Sequence, residues 1–142
     1  MASDRKASKA PSPETLDALV RIVGEEHAIR DPREMERYLV EWRDRYRGKA
    51  ALVLKPGSTQ AVSAILEHAN RTGTSIVPQG GNTGLVGGQI PFESGNEIVV
   101  SLERMTHVRD IDLASNTMIV EAGLVLAKAQ QVAAAADRLF PL

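Results

Sequence analysis

At 142 residues the chain has room for one domain with a real core and is short for a complete multi-substrate enzyme. Its 17 Lys and Arg balance 18 Asp and Glu, so no bulk charge draws it to nucleic acid or an anionic membrane, and a small-molecule partner is expected. With no cysteine, a disulfide framework and a thiolate metal site are excluded, which fits a reducing cytoplasm.

No apolar run approaches the roughly 20 residues that span a bilayer. Residues 1–12, at the start of "MASDRKASKAPSPE", are basic, rich in Ser and Ala, and lack the apolar stretch of a secretory signal, so a disordered leader is expected. Asp4 and the shortness of the segment count against a mitochondrial transit peptide. Order is expected from Ser12, which caps a helix with Pro13 at its first position. Leu16, Leu19, Val20 and Val23 fall on one face before Gly24 ends it. Asp31-Pro32-Arg33-Glu34 repeats the start signal and opens a short helix. Tyr38, Trp42 and Tyr46 then recur four apart, a stripe that reads as an anchor against the core or as a stacking platform for a base. Residues 13–48 thus read as an N-terminal helical segment.

From Ala51 the pattern changes. "ALVLK" is a short apolar strand and Pro56-Gly57 a turn, after which Ser58 caps a helix that carries Val62, Ile65, Leu66 and Ala69 inward until Gly73 stops it. "TSIVP" is the next strand, completing a βαβ unit whose strands are expected parallel. Ligands of such sheets gather at the carboxyl ends of the strands. Further strands are expected at "EIVVSLE", Glu97 to Glu103, and "TMIVEAG", ending at Gly123. An Ala-rich helix from about Val125 to Leu139 follows, with Val132, Ala136 and Leu139 in its buried face. The fold class is α+β, with a small, mostly parallel sheet.

Between "TSIVP" and "EIVVSLE" lies "QGGNTGLVGG", in which Gly80, Gly81, Gly84, Gly87 and Gly88 put five glycines within nine residues. Glycine reaches positive φ freely, and successive main-chain N–H groups in such conformations form a concave nest for anions, a pyrophosphate above all. A Walker A loop needs Gly-Lys-Ser/Thr, and no Lys lies between Lys55 and Lys128; a Rossmann turn needs G-x-G-x-x-G running directly into a helix. Neither pattern is met. A flexible surface loop is the bland alternative, but Pro78, Pro91, Leu85 and Val86 are out of place in a solvated linker.

"PQGGNTGLVGG", with "VLKPGSTQAVSAIL" before it and "EIVVSLERM", "VEAG" and "FPL" after it, resembles the first part of the FAD-binding domain of the vanillyl-alcohol-oxidase (PCMH) type. The resemblance is nearest to the group of FAD-linked D-2-hydroxyglutarate and D-lactate dehydrogenases and runs from about Trp42 to Leu142, with residues 49–142 as the first, incomplete part of the domain. It implies that Gly80, Gly81, Asn82, Thr83 and Gly84 donate main-chain N–H groups to the FAD pyrophosphate and that Pro78 and Gln79 set the strand's approach. Leu85, Gly87 and Gly88 would pass close to the cofactor, Gly123 would lie by the adenosine half, and Pro141 would begin a second set of flavin contacts. Gly81 is expected to need positive φ, and a change at Gln79 is expected to matter less. Relatives that bind FAD covalently often carry His where this chain has Asn82; an amide is no such nucleophile, so non-covalent FAD is implied.

The implied partners are FAD, a small 2-hydroxy acid (D-lactate, D-2-hydroxyglutarate or glycolate) and an electron acceptor: a quinone, a cytochrome or an electron-transfer flavoprotein. No catalytic residue or metal ligand is expected within this stretch, and exposed apolar surface near Leu85 and Val86 is expected to drive self-association. A stand-alone phosphate-binding module, or an interaction protein without ligand, are the alternatives. His27, His68 and His107 show no ligand spacing and read as surface or capping residues. Glu93, Glu97 and Glu103 read as solvated loop charges, and Arg104 and Arg109 as surface residues or approaches to phosphate.

Overall fold

The structure, a computed structural model, describes residues 9–142; residues 1–8 of the expected leader lie outside the described residues. α1 (Pro13–Val23) forms where its signals stand: Ser12 Oγ accepts from Thr15 N at 3.3 Å, and Gly24, at φ 88°, ends the helix. A 3₁₀ turn leads into β1 (Ala28–Ile29), and α2 (Pro32–Leu39) opens on Asp31, whose Oδ1 accepts from Arg33 N at 2.7 Å. β2 (Leu52–Leu54), α3 (Thr59–Thr72) and β3 (Ser75–Gln79) are the βαβ unit, α3 being capped by Ser58 and by Gly73 in the left-handed conformation. β4 (Glu97–Ser101) completes the sheet, while β5 (Val108–Asp112), β6 (Thr117–Val120) and α4 (Leu126–Ala135) follow.

The sheet order is β1-β2-β4-β3. β4 slides between the two strands of the βαβ unit, and Val99 is opposite both Val53 and Val77 in parallel registers. The two-residue alternation of strands then sorts the core. Leu52, Leu54, Ile98 and Val100 meet Leu19 and Val20 of α1 and Ile65 of α3, while Val53 and Val99 meet Met35, Tyr38 and Leu39 of α2. The segment expected as N-terminal helices therefore covers both faces of the same sheet, and its β1 pairs with β2.

Several expectations need correction. Tyr38 is 3% exposed but Trp42 is 68% and Tyr46 45%, because α2 ends at Leu39 and the helical spacing of the rings ends with it. Leu66 is 49% exposed; Ile65 and Ala69, one helical turn apart, are the buried line of α3. "VRDID" forms strand β5, unforeseen because of its charges: Asp112 Oδ1 accepts from Ala114 N, and Asn116 adopts φ 54°, which closes the hairpin to β6. α4 ends at Ala135, so Ala129 and Ala133 form its buried face and Leu139 is exposed.

Ile65→Ala should cost about 2 to 5 kcal/mol in urea unfolding, as for other fully buried aliphatic truncations. Leu66→Ala should stay within about 0.5 kcal/mol of wild type, the range of ordinary surface changes. Equal losses at the two positions would mean that α3 presents a different face.

Candidate functional site

Because β2, β4 and β3 are parallel, their carboxyl ends share one edge of the sheet, and the glycine-rich stretch leaves β3 there. The joint is Gln79, 2% exposed, whose Nε2 donates to Tyr38 O at 2.9 Å and to Gln89 O at 3.0 Å. One side chain thus ties the end of α2 to both ends of the loop, a larger part than the sequence suggested for it. Pro78 sits on β3 at the outer edge of the sheet, where a missing N–H is tolerated.

Among the described residues, no hydrogen bond runs from the N–H of Gly80, Gly81, Asn82, Thr83 or Gly84 to a protein acceptor. Positive φ occurs in this stretch at Asn82 (54°) and Gly87 (75°) and not at Gly81, which corrects the expectation made for Gly81. A Cβ built on Gly81 meets nothing nearer than Thr83 Cγ2 at 3.9 Å, one on Gly80 meets Ala122 O at 3.9 Å, and one on Gly88 meets nothing within 4 Å. At these three positions no protein neighbour requires a glycine. Elsewhere one does: a Cβ would sit 2.8 Å from the Tyr46 ring at Gly87, where φ is also positive, and 1.8 Å from Leu102 O at Gly123, whereas at Gly84 it would meet only the movable end of the Gln89 side chain, at 2.7 Å.

Asn82 holds the bend from below. Its Nδ2 donates to Arg37 O at 3.0 Å and Val40 O at 2.9 Å, while its Oδ1 is buried without a partner. Gly123 N donates to Met105 O at 2.9 Å, which brings "EAG" to the same edge of the sheet as Gly80. Leu85 and Val86 are 46% and 85% exposed. Pro141 is exposed beyond α4, where the Gln130 amide reaches Leu142 O, and no hydrogen bond joins that end to the loop. A cleft of about 480 Å³ lies there, lined by Leu113, Met118, Ala133, Leu139 and Phe140. It contains no residue of the glycine stretch.

Most of the other charged residues singled out in the sequence pair within the protein. Glu103, expected to be solvated, accepts from Tyr38 Oη at 3.0 Å and pairs with Arg37 and with Lys55 at 3.7 Å. Burial, and this carboxylate beside it, push the Tyr38 phenol up. Glu97, 8% exposed, accepts from Phe92 N at 2.6 Å at the opposite end of β4, so the three glutamates form no cluster. Arg104, ahead of β5, donates to Lys55 O at 2.8 Å, and Arg109 of β5 donates to Thr59 Oγ1 at the start of α3 at 3.2 Å; neither is bonded to the glycine loop. His27 lies beside Glu26, His68 beside Arg71 and His107 beside Glu121. Among the described residues no group of three or more His, Cys, Asp or Glu is placed to hold a metal, and no helix is long and apolar enough to cross a membrane.

An α/β layer whose glycine-rich loop leaves the carboxyl edge of its parallel strands places that loop where sheets of this class gather ligands. The chain belongs to the FAD binding domain family, whose model matches residues 50–142, and its cofactor is FAD. It is 42% identical over 111 residues to a D-2-hydroxyglutarate–pyruvate transhydrogenase of Saccharomyces cerevisiae, covering 78% of this chain and 22% of that one. It is 38% identical over 105 residues to a mitochondrial D-2-hydroxyglutarate dehydrogenase of Arabidopsis thaliana, covering 74% and 18%. The chain thus spans about a fifth of these relatives. In fold it matches an alkyldihydroxyacetonephosphate synthase (TM-score 0.76, 18% identity, 89% of this chain and 25% of that one). A 4-ethylphenol oxidase from Gulosibacter chungangensis gives a TM-score of 0.75 at 22% identity, covering 91% and 27%. The α+β architecture expected from the sequence is the one these enzymes share.

The Glu121 carboxylate accepts from His107 N at 3.0 Å, lies 2.8 Å from His107 Nδ1 and pairs with Arg109 at 3.1 Å. The His107 main-chain N–H first, then its ring and Arg109, hold its pKa down from 4.5 to about 2. A depressed folded-state pKa stabilises the fold above the unfolded value, and that contribution is lost as pH falls through the folded one. The melting-temperature gap between wild type and Glu121→Gln should therefore be widest near neutrality and close between pH 4.5 and about 2. A gap that does not change with pH would remove the carboxylate as its source.

Proposed function

We propose that this chain holds the pyrophosphate of FAD within a dehydrogenase that oxidises a D-2-hydroxy acid to the 2-oxo acid. The observation that carries the reading is the run of N–H groups from Gly80 to Gly84 without protein acceptors, together with the open space that a Cβ would occupy at Gly80 and Gly81. Two linked phosphates present several strong acceptor oxygens, and a fixed row of N–H dipoles meets them without a lysine. Thr83 and Asn82 contribute main-chain donors to this row; Gly88 leaves the returning chain open to the cofactor, and Gly123 brings the "EAG" segment close to Gly80. Leu85, exposed beside the cradle, offers apolar surface to the flavin side, and Pro141 is assigned to flavin contacts beyond α4.

FAD, when bound, supplies the two-electron acceptor for the carbon–hydrogen bond of the hydroxy acid. Asn82 uses both amide hydrogens on α2 carbonyls and offers no nucleophile, which supports non-covalent attachment. D-2-hydroxyglutarate is the first substrate to test, in view of the relatives' names, with D-lactate and glycolate as competitors; a quinone, a cytochrome or an electron-transfer flavoprotein would reoxidise the flavin. We propose a cytoplasmic placement, which the lack of cysteine fits while leaving the compartment open. Cell fractionation that finds it in mitochondria, as the Arabidopsis relative is named, would overturn that placement.

In the natural full-length polypeptide, Gly81→Val should fold, since the protein leaves room for a Cβ there, yet lose FAD affinity roughly 10- to 1000-fold through the blocked approach and lost charge-assisted hydrogen bonds. His68→Ala should keep its flavin. Flavin per polypeptide, read from absorbance after acid precipitation, decides this, and FAD should appear in the supernatant. Full occupancy in folded Gly81→Val would place the cradle elsewhere.

A separate expectation concerns the surface. Val86 and Leu139 are each 85% exposed and Phe92 62%, so the chain by itself should associate as its concentration rises. Light scattering that reports a monomer across a wide concentration range would contradict it.

A further inference from the structure

Four successive carbonyls at the end of α2 each accept from a donor outside the helix. Arg37 O and Val40 O take the Asn82 amide, Tyr38 O takes the Gln79 amide, and Leu39 O takes Gly48 N. A helix end normally leaves such carbonyls to water or to a cap. Here two side chains of the glycine stretch supply the cap, and α2, Pro32–Leu39, lies outside the residues 50–142 that the family model matches.

The choice of residues points beyond stability. At φ 54° glycine would carry no Cβ strain, yet in a stretch rich in glycine the bend is made by asparagine. Its Oδ1 is left buried without a partner, an arrangement that costs free energy. What the asparagine adds is two N–H donors aimed at α2. Gln79 repeats the device one turn of chain earlier, with its amide nitrogen between Tyr38 O and Gln89 O. From Gly80 to Gly84 no main-chain N–H is bonded to another of the described residues, so the geometry of that stretch rests on these side chains and on the Gln89 amide, which donates to Gly84 O at 2.7 Å.

We propose that Gln79 and Asn82 are positioning residues: a pair of amide clamps that fix the glycine loop to the carboxyl end of α2, so that its N–H row stands preformed before FAD arrives. They act on the cofactor through the loop. The N-terminal segment is thereby a working part of the cradle. The inference rests on the reading that Gly80 to Gly84 hold the pyrophosphate. Ordering five loop residues at the moment of binding would cost conformational entropy that a clamped loop has already lost.

The test uses the natural full-length polypeptide, FAD titration by fluorescence quenching, and ¹⁵N-resolved amide signals of Gly80, Gly81 and Gly84 in the flavin-free protein. Asn82→Asp and Gln79→Glu keep shape and remove the donated hydrogens. Each should weaken FAD binding roughly 10- to 100-fold at pH 8, with the glycine signals moving to random-coil positions while the rest of the spectrum stays dispersed. Burial raises a carboxyl pKa, so at pH 5.5 the introduced carboxyl group of Gln79→Glu, once protonated, should regain one donated hydrogen bond and recover part of the affinity. Wild type should show no such recovery over the same range, and neither should Gln79→Leu, which has no proton to regain.

Folded Gln79→Glu and Asn82→Asp that bind FAD as wild type does, while Gly81→Val loses it, overturn the clamp and leave the cradle standing. Gly81→Val that keeps its FAD overturns the cradle and the clamp with it. A pH-independent loss in Gln79→Glu, with the glycine signals unmoved, overturns the positioning role as well.

Discussion

The buried amide of Gln79 is the joint on which the carboxyl edge of the sheet depends. An amide taken out of water costs about 1 to 3 kcal/mol if its hydrogens are left unpaired. Here both are paired, to carbonyls 41 positions earlier and 10 positions later in the chain. The side chain points inward because β3 is in register with β4, Gln79 opposite Ser101. A slip of one residue would turn it outward and expose Val77 with it. Strand register, the end of α2 and the closing of the loop are therefore one condition, and none can change alone.

That condition resolves an electrostatic conflict. A helix carries partial negative charge at its carboxyl end, and α2 delivers that end to a loop proposed to receive an anion. Uncapped, the carbonyls of Arg37, Tyr38 and Val40 would face the same space as the phosphates. The Gln79 and Asn82 amides take up their lone pairs and place hydrogens between the helix and the loop. At the same edge the Glu103 carboxylate is engaged by Tyr38, Arg37 and Lys55, so its charge too is answered within the protein.

What the sequence made legible was local. Ser12, Ser58 and Gly73 cap their helices because a side chain three residues from its partner, or a glycine at a helix end, needs no tertiary context. The glycine stretch was correctly expected at the strand ends, since a βαβ unit fixes where its second strand exits. The insertion of β4 between β2 and β3 was not legible, because strand order is decided by the packing of the whole layer. The reason for Gly87 lies in the Tyr46 ring and that for Gly123 in Leu102 O, residues 41 and 21 positions away. Gln79 looked like a minor flank for the same cause: its partners are Tyr38 O at the end of α2 and Gln89 O at the far end of the loop, and no pattern near position 79 names them.

The glycines themselves separate into two kinds once their neighbours are known. Gly87 and Gly123 are demanded by the protein, which leaves a Cβ no room, while Gly84 asks only that the end of the Gln89 side chain move. Gly80, Gly81 and Gly88 have room for one and sit outside the left-handed region, so folding alone gives no reason for glycine. At such positions alanine would ordinarily be more stable by about 0.4 to 1 kcal/mol, because glycine gives the unfolded chain more freedom. The stretch is thus less stable than its own backbone allows at the very residues whose N–H groups and Cα faces are open. A loop built only to connect β3 to β4 would carry the first kind of glycine and not the second, and the second kind is what a ligand approaching the main chain at hydrogen-bond distance requires.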